Sequence, residues 1–585
     1  MNMRELARNF LTIALTVVGF GLLQSMLAVT TEVYEHEAIT INLSQDLCIG
    51  MGVMLLLARL KVHRSVALLF ALSWLSIVLF DAVRDIGAVT MGQDPLIYDA
   101  VLLTAHLLVL LRDTLGKDTT RLLWIAGGGL AGAFVLTWGL FYWLMGRYRK
   151  AHWGVVLTGI SLLLGITWWT TTEDSPWPSR LSTPDLVENG SRSFSVWSRL
   201  QEGLSGEAYS EAAALQFSTR PDVHIYIIES YGQIMTRKSV RKAWKKRLSS
   251  MNRALRAEGW FMATGLSHAP VAGGRSWLAD ATLFAGIEVK YESVYRHLVP
   301  RAAEVPSLVR MFEGNDYRTL LVRPKDKARR GVKLVNHFAF DDTVFFDDLK
   351  YSGISYGWAG IPDQYTLGKL RDEILPESGE DPTFLFFHMA SSHIPWDELP
   401  PVVDDWRVLG GEAGQGVTSP RGRFRTKSKE IEFQLARYKR SDEVRINRLR
   451  ATTQNLEQYA KAIDYELEIL QQHLLALPDR PSLIILMGDH QPPMLGKSKN
   501  FSVPVHVLTR GTRLRREFLE RGFKKGLQVQ DRQPVVRHEG LFSVIARALA
   551  FNDGSEMPPY LPNGAVQGDA PKKGELKVVT DKVAK

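Results

Sequence analysis

Cysteine is almost missing. Cys48 stands alone in 585 residues, which rules out an intrachain disulfide and any disulfide-stapled scaffold, and takes cysteine chemistry out of consideration. Internal repeats are missing too, so stacked-repeat architectures are excluded. The formal charge is +9, yet the basic residues of the polar part are scattered and form no aromatic-interleaved basic motif of the kind that grips nucleic acid strands. Anionic lipid headgroups account for the excess, with a scattered solvated surface as the plain alternative. The first apolar stretch, about 9–29, has no small-residue cleavage site and is too long for a removable signal peptide, so it reads as an anchor.

The apolar residues, 45% of the whole, crowd into the first 170 or so positions. The remainder has the mixed composition of an α/β protein, so the chain falls into two unlike parts. We read residues 1–171 as a transmembrane domain, 172–220 as a juxtamembrane linker, 221–551 as a catalytic domain and 552–585 as a disordered tail rich in Gly, Pro and Lys. Span candidates are 9–29, 41–60, 66–82, 95–112, 122–145 and 152–171. Arg4 and Arg8, the run Arg59 to Arg64, and Arg147 to Lys150 all belong on the cytoplasmic side, and the acidic loop Glu32 to Glu37 outside. Six full crossings would return the large domain to the side of the N-terminus, whereas about five satisfy every basic loop. The segment 95–112, shortened by Asp99 and carrying His106, therefore reads as interfacial or re-entrant. The protein is then a multi-pass membrane protein with its large domain outside the cytoplasmic membrane.

Strand-like runs recur in that domain at Val223 to Ile228, Thr319 to Val322, Thr383 to Phe387, Leu483 to Met487 and Val503 to Leu508. They alternate with helical spacing such as Leu456 to Leu475, a pattern that specifies a mainly parallel sheet between helices. A basic stretch at 421–450 has no clear core face.

Two apolar runs end on chemistry. Val223 to Ile228 empties into Glu229, and Leu483 to Met487 into Gly488-Asp489-His490; open α/β sheets build sites above these carboxyl ends. Two carboxylates and an imidazole suit manganese, magnesium or zinc. Between them lies Ala272-Gly273-Gly274-Arg275-Ser276-Trp277, where small residues allow close backbone approach and a hydroxyl follows a fixed positive charge. Ser276 is a weak nucleophile unless a metal acidifies it. Arg275 suits phosphate oxygens, and His393, on the loop after Thr383 to Phe387, suits substrate contact or proton transfer. Taken singly, each admits a plain role: an N-cap for Glu229, a glycine turn before Ser276, a structural loop histidine for His393.

In order, these pieces resemble the membrane-anchored sulfatase-like branch of the alkaline phosphatase superfamily, which includes lipoteichoic acid synthases and the phosphoglycerol transferases of periplasmic glucans. The resemblance spans about 221–510 and the N-terminal helices. It is carried by Ile227-Ile228-Glu229-Ser230, Gly274-Arg275-Ser276, Tyr356-Gly357-Trp358 ahead of Asp363, Ser392-His393-Ile394-Pro395-Trp396, Tyr459 to Leu470 with Asp464, and Gly488-Asp489-His490.

The resemblance implies one divalent ion, manganese first with magnesium or zinc admissible, held by Glu229, Ser276, Asp489 and His490. It implies Ser276 as nucleophile and His393, Arg275 and Trp358 as substrate contacts. It also implies transfer of phosphoglycerol from phosphatidylglycerol, a membrane phospholipid donor, to a cell-envelope glycan. The family usually has threonine where Ser276 stands, and serine performs the same in-line attack. A sulfatase would need Cys/Ser-x-Pro-x-Arg, but Trp277, Leu278, Ala279 and Asp280 follow Ser276. The alternatives are a phosphoethanolamine transferase acting on lipid A or glycan, whose usual cysteine-rich domain is missing, a hydrolase with water as acceptor, and a non-catalytic lipid sensor.

Overall fold

A computed structural model of the chain describes residues 3–31, 43–58, 63–91, 94–102, 118–149, 152–170, 179–202, 215–302, 305–328, 334–358, 360–396, 399–411, 452–493, 501–511, 513–550 and 558–564. The basic stretch 421–450, most of span candidate 95–112 and, apart from 558–564, the expected tail from 552 lie outside the described residues. The chain divides into two compact units, Met1–Val89 with Gln93–Gln201, and Thr90–Gly92 with Glu202–Lys585.

The first unit is helical. Among the described residues two stretches, Arg64–Asp85 and Thr119–Arg149, are long and apolar enough to cross a membrane, while Leu11–Met26, Gln45–Leu57 and Val156–Trp169 are apolar but shorter. Among the described residues the expected count of about five spans is thus not confirmed. Candidate 41–60 shows why. Residues Leu43–Ser44 form a short strand, β1, paired in parallel with β2, Ser179–Arg180. The Ser44 side chain then accepts from Leu47 N and starts a helix of only 13 residues. At 1.5 Å per residue it rises roughly 20 Å, short of a hydrocarbon core of about 30 Å. The stretch expected as linker contains the helix Thr183–Glu202. Pro184 lies in its first turn, where a missing N–H is harmless. Its buried Asn189 accepts from Ile97 N at 2.9 Å and donates to Pro95 O at 2.9 Å.

Among the described residues the second unit is built on a nine-stranded sheet. Its strands are β3 (Asp222–Ile228), β4 (Trp260–His268), β5 (Arg318–Arg323), β6 (Asp342–Phe345), β7 (Thr383–His388), β8 (Ser482–Gly488), β9 (Ser502–Arg510), β10 (Lys524–Lys525) and β11 (Val536–Arg537). They lie in the order β10-β4-β9-β8-β3-β7-β5-β6, with β11 paired to β4. The run from β8 to β6 is parallel; β9 is antiparallel to both β8 and β4. The sheet is thus mixed, with its parallel part where the site residues end.

Strand β3 alternates between two cores, as a period of two requires. Val223, Ile225 and Ile227 join one cluster with Leu278 and Phe284 of the helix Ser276–Ala285, and with Leu541 and Ile545 of the helix His538–Ala550. Tyr226 and Ile228 join the other, with Trp244 and Leu248 of the helix Arg241–Ala257, and with Tyr459 and Ile463 of the helix Thr452–Ala476. With both faces covered, the central strands are mostly apolar, the buried His224 of β3 being an exception.

Candidate active site

Register assembles the site. Ile228 of β3 is paired with Gly488 of β8, and Ile227 with His388 of β7. The residues that follow, Glu229 on one strand and Asp489 and His490 on its neighbour, therefore emerge side by side at the carboxyl edge. Gly488 is required there, because a Cβ on it would lie 2.0 Å from the Tyr231 carbonyl oxygen. Gly488→Ala is expected to destabilise the fold by ~2 kcal/mol or more, which a thermal melt of the full chain would register as a drop of about 4 °C or more.

One potential ligand atom from each of Glu229, Asp489 and His490 lies within 4.8 Å of the others, and all three residues are buried. Ser276 Oγ lies 3.1 Å from Glu229 Oε2 and 3.3 Å from His490 Nε2. Backbone strain aims it. Gly273 and Gly274 have φ of 74° and 117°, and Arg275 has φ of 63° despite its side chain. A non-glycine residue in that region costs on the order of 1–3 kcal/mol and persists only where its surroundings fix it. Ser276 is the first residue of the ten-residue helix Ser276–Ala285, so its hydroxyl sits at the positive end of a buried helix dipole, suited to an anion.

The donor set fits a divalent cation. Asp489 Oδ1 accepts from Ser230 N at 2.7 Å and His490 N at 2.8 Å, while its buried Oδ2 accepts no hydrogen bond and lies 3.2 Å from His490 Nε2. A buried carboxylate oxygen without a hydrogen bond is costly unless a cation takes it. His490 Nδ1 lies 2.9 Å from the Gln491 carbonyl and donates to it, so the Nε2 lone pair is directed at the cluster, the tautomer a metal-ligating histidine needs.

Two further groups brace Glu229, and the sequence reading missed both. Lys325 Nζ, just past β5, lies 3.0 Å from Glu229 Oε2. His388, the last residue of β7, places Nε2 3.1 Å from the same oxygen and Nδ1 3.0 Å from Asp280. Asp280 lies one turn beyond Ser276 on its helix, and Arg323 also pairs with it at 2.6 Å. Burial by itself raises the Glu229 carboxyl, but Lys325 and then His388 outweigh it and hold the group well below the usual carboxylate range. Burial also disfavours charge on His388, yet the Asp280 carboxylate prevails and lifts the imidazole to about 9. Asp489 goes the other way, raised by burial and by the Glu229 charge. The sequence carried one signal for His388, a polar residue closing the run Thr383 to Phe387; nothing local marked Lys325.

His393 stacks on Trp358 with centroids 4.0 Å apart, and Lys325 lies 5.7 Å from the centre of that indole. Trp358 is half exposed, forming the outer wall. Burial lowers the His393 imidazole to about 4, so it is neutral at ordinary pH. Its Nδ1 donates to the Ile394 carbonyl at 2.6 Å, which makes Nε2 an acceptor. Arg275 is half-buried beside Ser276.

Residues 263–533 match the family model described as Sulfatase. The match holds Ser276, Lys325, His388, His393, Asp489 and His490; Glu229 precedes it. Residues 263–533 are thus sulfatase-like, and they lie within the unit built on the mixed sheet. No curated protein sequence matches the chain. Among solved structures, the chain is similar to the phosphoglycerol transferase GacH of Streptococcus pyogenes in complex with sn-glycerol-1-phosphate, at 13% identity, covering 60% of this chain and 79% of that one, TM-score 0.34. It is similar to the lipoteichoic acid synthase LtaP of Listeria monocytogenes, at 12% identity, covering 61% and 80%, TM-score 0.35. It is also similar to the integral membrane lipooligosaccharide phosphoethanolamine transferase EptA of Neisseria meningitidis, at 12% identity, covering 86% and 87%, TM-score 0.40.

Proposed function

We propose that the protein is a metal-dependent transferase of the bacterial cytoplasmic membrane. It moves phosphoglycerol from phosphatidylglycerol to a cell-envelope glycan, through a covalent intermediate on Ser276. The observation that carries this reading is the Ser276 hydroxyl at the start of a buried helix, 3.1 Å from Glu229 and 3.3 Å from His490. Residues 1–171 are the anchor in this reading and 221–551 the catalytic domain, outside the cytoplasm. Tethering keeps the domain beside a donor that never leaves the bilayer.

Glu229, Ser276, Asp489 and His490 would hold the ion, with manganese the first choice for an oxygen-rich set completed by one imidazole. When bound it supplies positive charge that acidifies the hydroxyl and offsets phosphate charge. In the first half-reaction Ser276 Oγ bonds to phosphorus and the bond from phosphorus to the diacylglycerol oxygen breaks. The proton lost by the serine balances the one gained by diacylglycerol. In the second, an acceptor hydroxyl bonds to phosphorus, the bond to Oγ breaks and Ser276 regains a proton. Lys325 and the helix N-terminus stabilise the phosphoryl oxygens in both. His393, neutral and with Nε2 free to accept, takes the proton of the acceptor hydroxyl.

Glycerol is the first choice of headgroup and ethanolamine the alternative; Lys325 and His388 are paired with Glu229 and Asp280, so charge at the site does not decide between them. Vesicles of phosphatidylglycerol or phosphatidylethanolamine, each headgroup-labelled, test the choice through diacylglycerol release. Phosphatidylglycerol is expected to turn over about tenfold faster or more, the equivalent of ~1.4 kcal/mol. The reverse preference would assign ethanolamine to the same chemistry, and release from neither would end the transferase reading.

A further inference from the structure

The loop that carries His393 is held by two buried carboxyl groups outside the metal cluster. Asp363, first residue of the helix Asp363–Lys369, accepts through Oδ2 from Ala390 N at 2.7 Å and Ser391 N at 2.6 Å. Its own N–H donates to Ser391 Oγ at 3.0 Å. Glu466, inside the helix Thr452–Ala476, accepts through Oε1 from Ser392 N at 2.9 Å. The loop then reaches the metal cluster, because Ser392 Oγ donates to the Glu229 carbonyl at 2.9 Å. Asp363 and Glu466 are both fully buried, at 0% exposure. The second oxygen of each, Asp363 Oδ1 and Glu466 Oε2, is buried without a hydrogen-bond partner.

Two unpartnered carboxylate oxygens on two adjoining buried acids have one economical resolution, a single proton held between them. Two ionised carboxylates side by side, away from water, repel each other and are poorly solvated, whereas one neutral and one charged carboxyl form a short, strong O–H···O bond. We propose that Asp363 and Glu466 are positioning residues that share one proton and clamp the 390–392 backbone, setting His393 and the Glu229 strand end in place. The role of His393 in this inference rests on the transferase reading; the clamp itself does not.

The charged and titratable groups around the pair agree with a shared proton. The helix of Glu466 contributes the Tyr465 phenol, and the loop contributes the Ser391 and Ser392 hydroxyl and N–H groups. Burial raises both carboxyls, Glu466 well above the usual range with Asp363 as its next cause, and backbone N–H groups oppose the rise at Asp363. The strongest influences on either acid are burial, the other acid, and the N–H and hydroxyl groups of residues 390–392.

The test uses Glu466→Gln, Asp363→Asn and Glu466→Leu in the full-length protein. An amide can donate to the remaining carboxylate in place of the shared proton, so either amide variant keeps the clamp, whereas leucine cannot. In the wild type, infrared spectroscopy is expected to show a protonated-carboxyl stretch that disappears in both amide variants. Hydrogen exchange at Ala390, Ser391 and Ser392 should stay within about threefold of wild type in Glu466→Gln and accelerate about a hundredfold or more in Glu466→Leu, as local opening of the loop becomes easy. No such stretch in the wild type, or amide and leucine variants exchanging equally fast, overturns the proposal. If the infrared and exchange results come out as expected while the wild type transfers no headgroup, the clamp stands and the transferase reading fails.

Discussion

Ser276→Ala is expected to reduce headgroup transfer about 10⁴-fold or more, the scale on which removing a covalent nucleophile acts. The side chain is buried at 8% exposure, and losing one small hydroxyl leaves the helix Ser276–Ala285 and its apolar contacts intact, so folding and membrane insertion should not change. Binding of the ion should survive too, because Glu229, Asp489 and His490 remain. Ser276→Thr keeps the hydroxyl and adds one methyl group; it should retain activity readily measurable above the alanine variant. Diacylglycerol release from labelled phosphatidylglycerol checks both. Undiminished release in Ser276→Ala would remove the covalent mechanism.

Asp489→Asn should cost nearly as much by a different route. The asparagine oxygen still accepts from Ser230 N and His490 N, as Asp489 Oδ1 does at 2.7 Å and 2.8 Å. The strand end is preserved. Its amide nitrogen, however, replaces the Oδ2 that accepts no hydrogen bond and presents donors where a cation needs a lone pair. Losing an outer-shell partner typically costs 10- to 100-fold in metal affinity or activity, and losing a direct ligand should exceed that, with transfer reduced about 100-fold or more. Elemental analysis of the purified protein should fall from about one divalent ion per chain to well below that, since ligand identity and count set occupancy. Full occupancy in Asp489→Asn would show that the three buried residues do not hold the ion.

What could be read from the sequence follows from how each element meets its neighbours. Strands β3, β7 and β8 lie inside the sheet with both faces covered, so they are mainly apolar runs, broken in β3 by His224, and the acids that follow two of them stand out. Strand β4, nearer the sheet edge but largely buried, is not marked in the sequence. Its interior positions include polar residues that satisfy one another only in the fold: Thr264 bonds His506 at 2.8 Å and Ser267 bonds His538 at 2.8 Å. Gly265, also in β4, is packed closely by Val535 and Phe523. Nothing in Trp260–His268 alternates until those partners are known. The antiparallel direction of β9 was hidden for a similar reason, because an apolar run does not state which way it runs.

The same distinction applies to the site. Glu229, Asp489 and His490 end apolar runs, and Ser276 follows a glycine pair, so local sequence marks them. His388 and Lys325 reach Glu229 only through the pairing of β7 beside β3 and β5 beside β7. Within the motif Tyr459 to Leu470, Asp464 turns outward to Arg247 at 2.7 Å, while Glu466, two positions on, is the acid at the centre of the fold. Helical spacing alone does not separate them. The start of the helix in candidate 41–60 is set by a cap at Ser44, which hydropathy does not register.

The most direct measurement is the intact mass of the protein, quenched during turnover on phosphatidylglycerol vesicles with the divalent ion present. The account predicts one glycerophosphoryl adduct per chain, mapped to the peptide containing Ser276 and missing from Ser276→Ala. A wild-type mass without adduct while diacylglycerol accumulates, or an adduct that persists in Ser276→Ala, would contradict it.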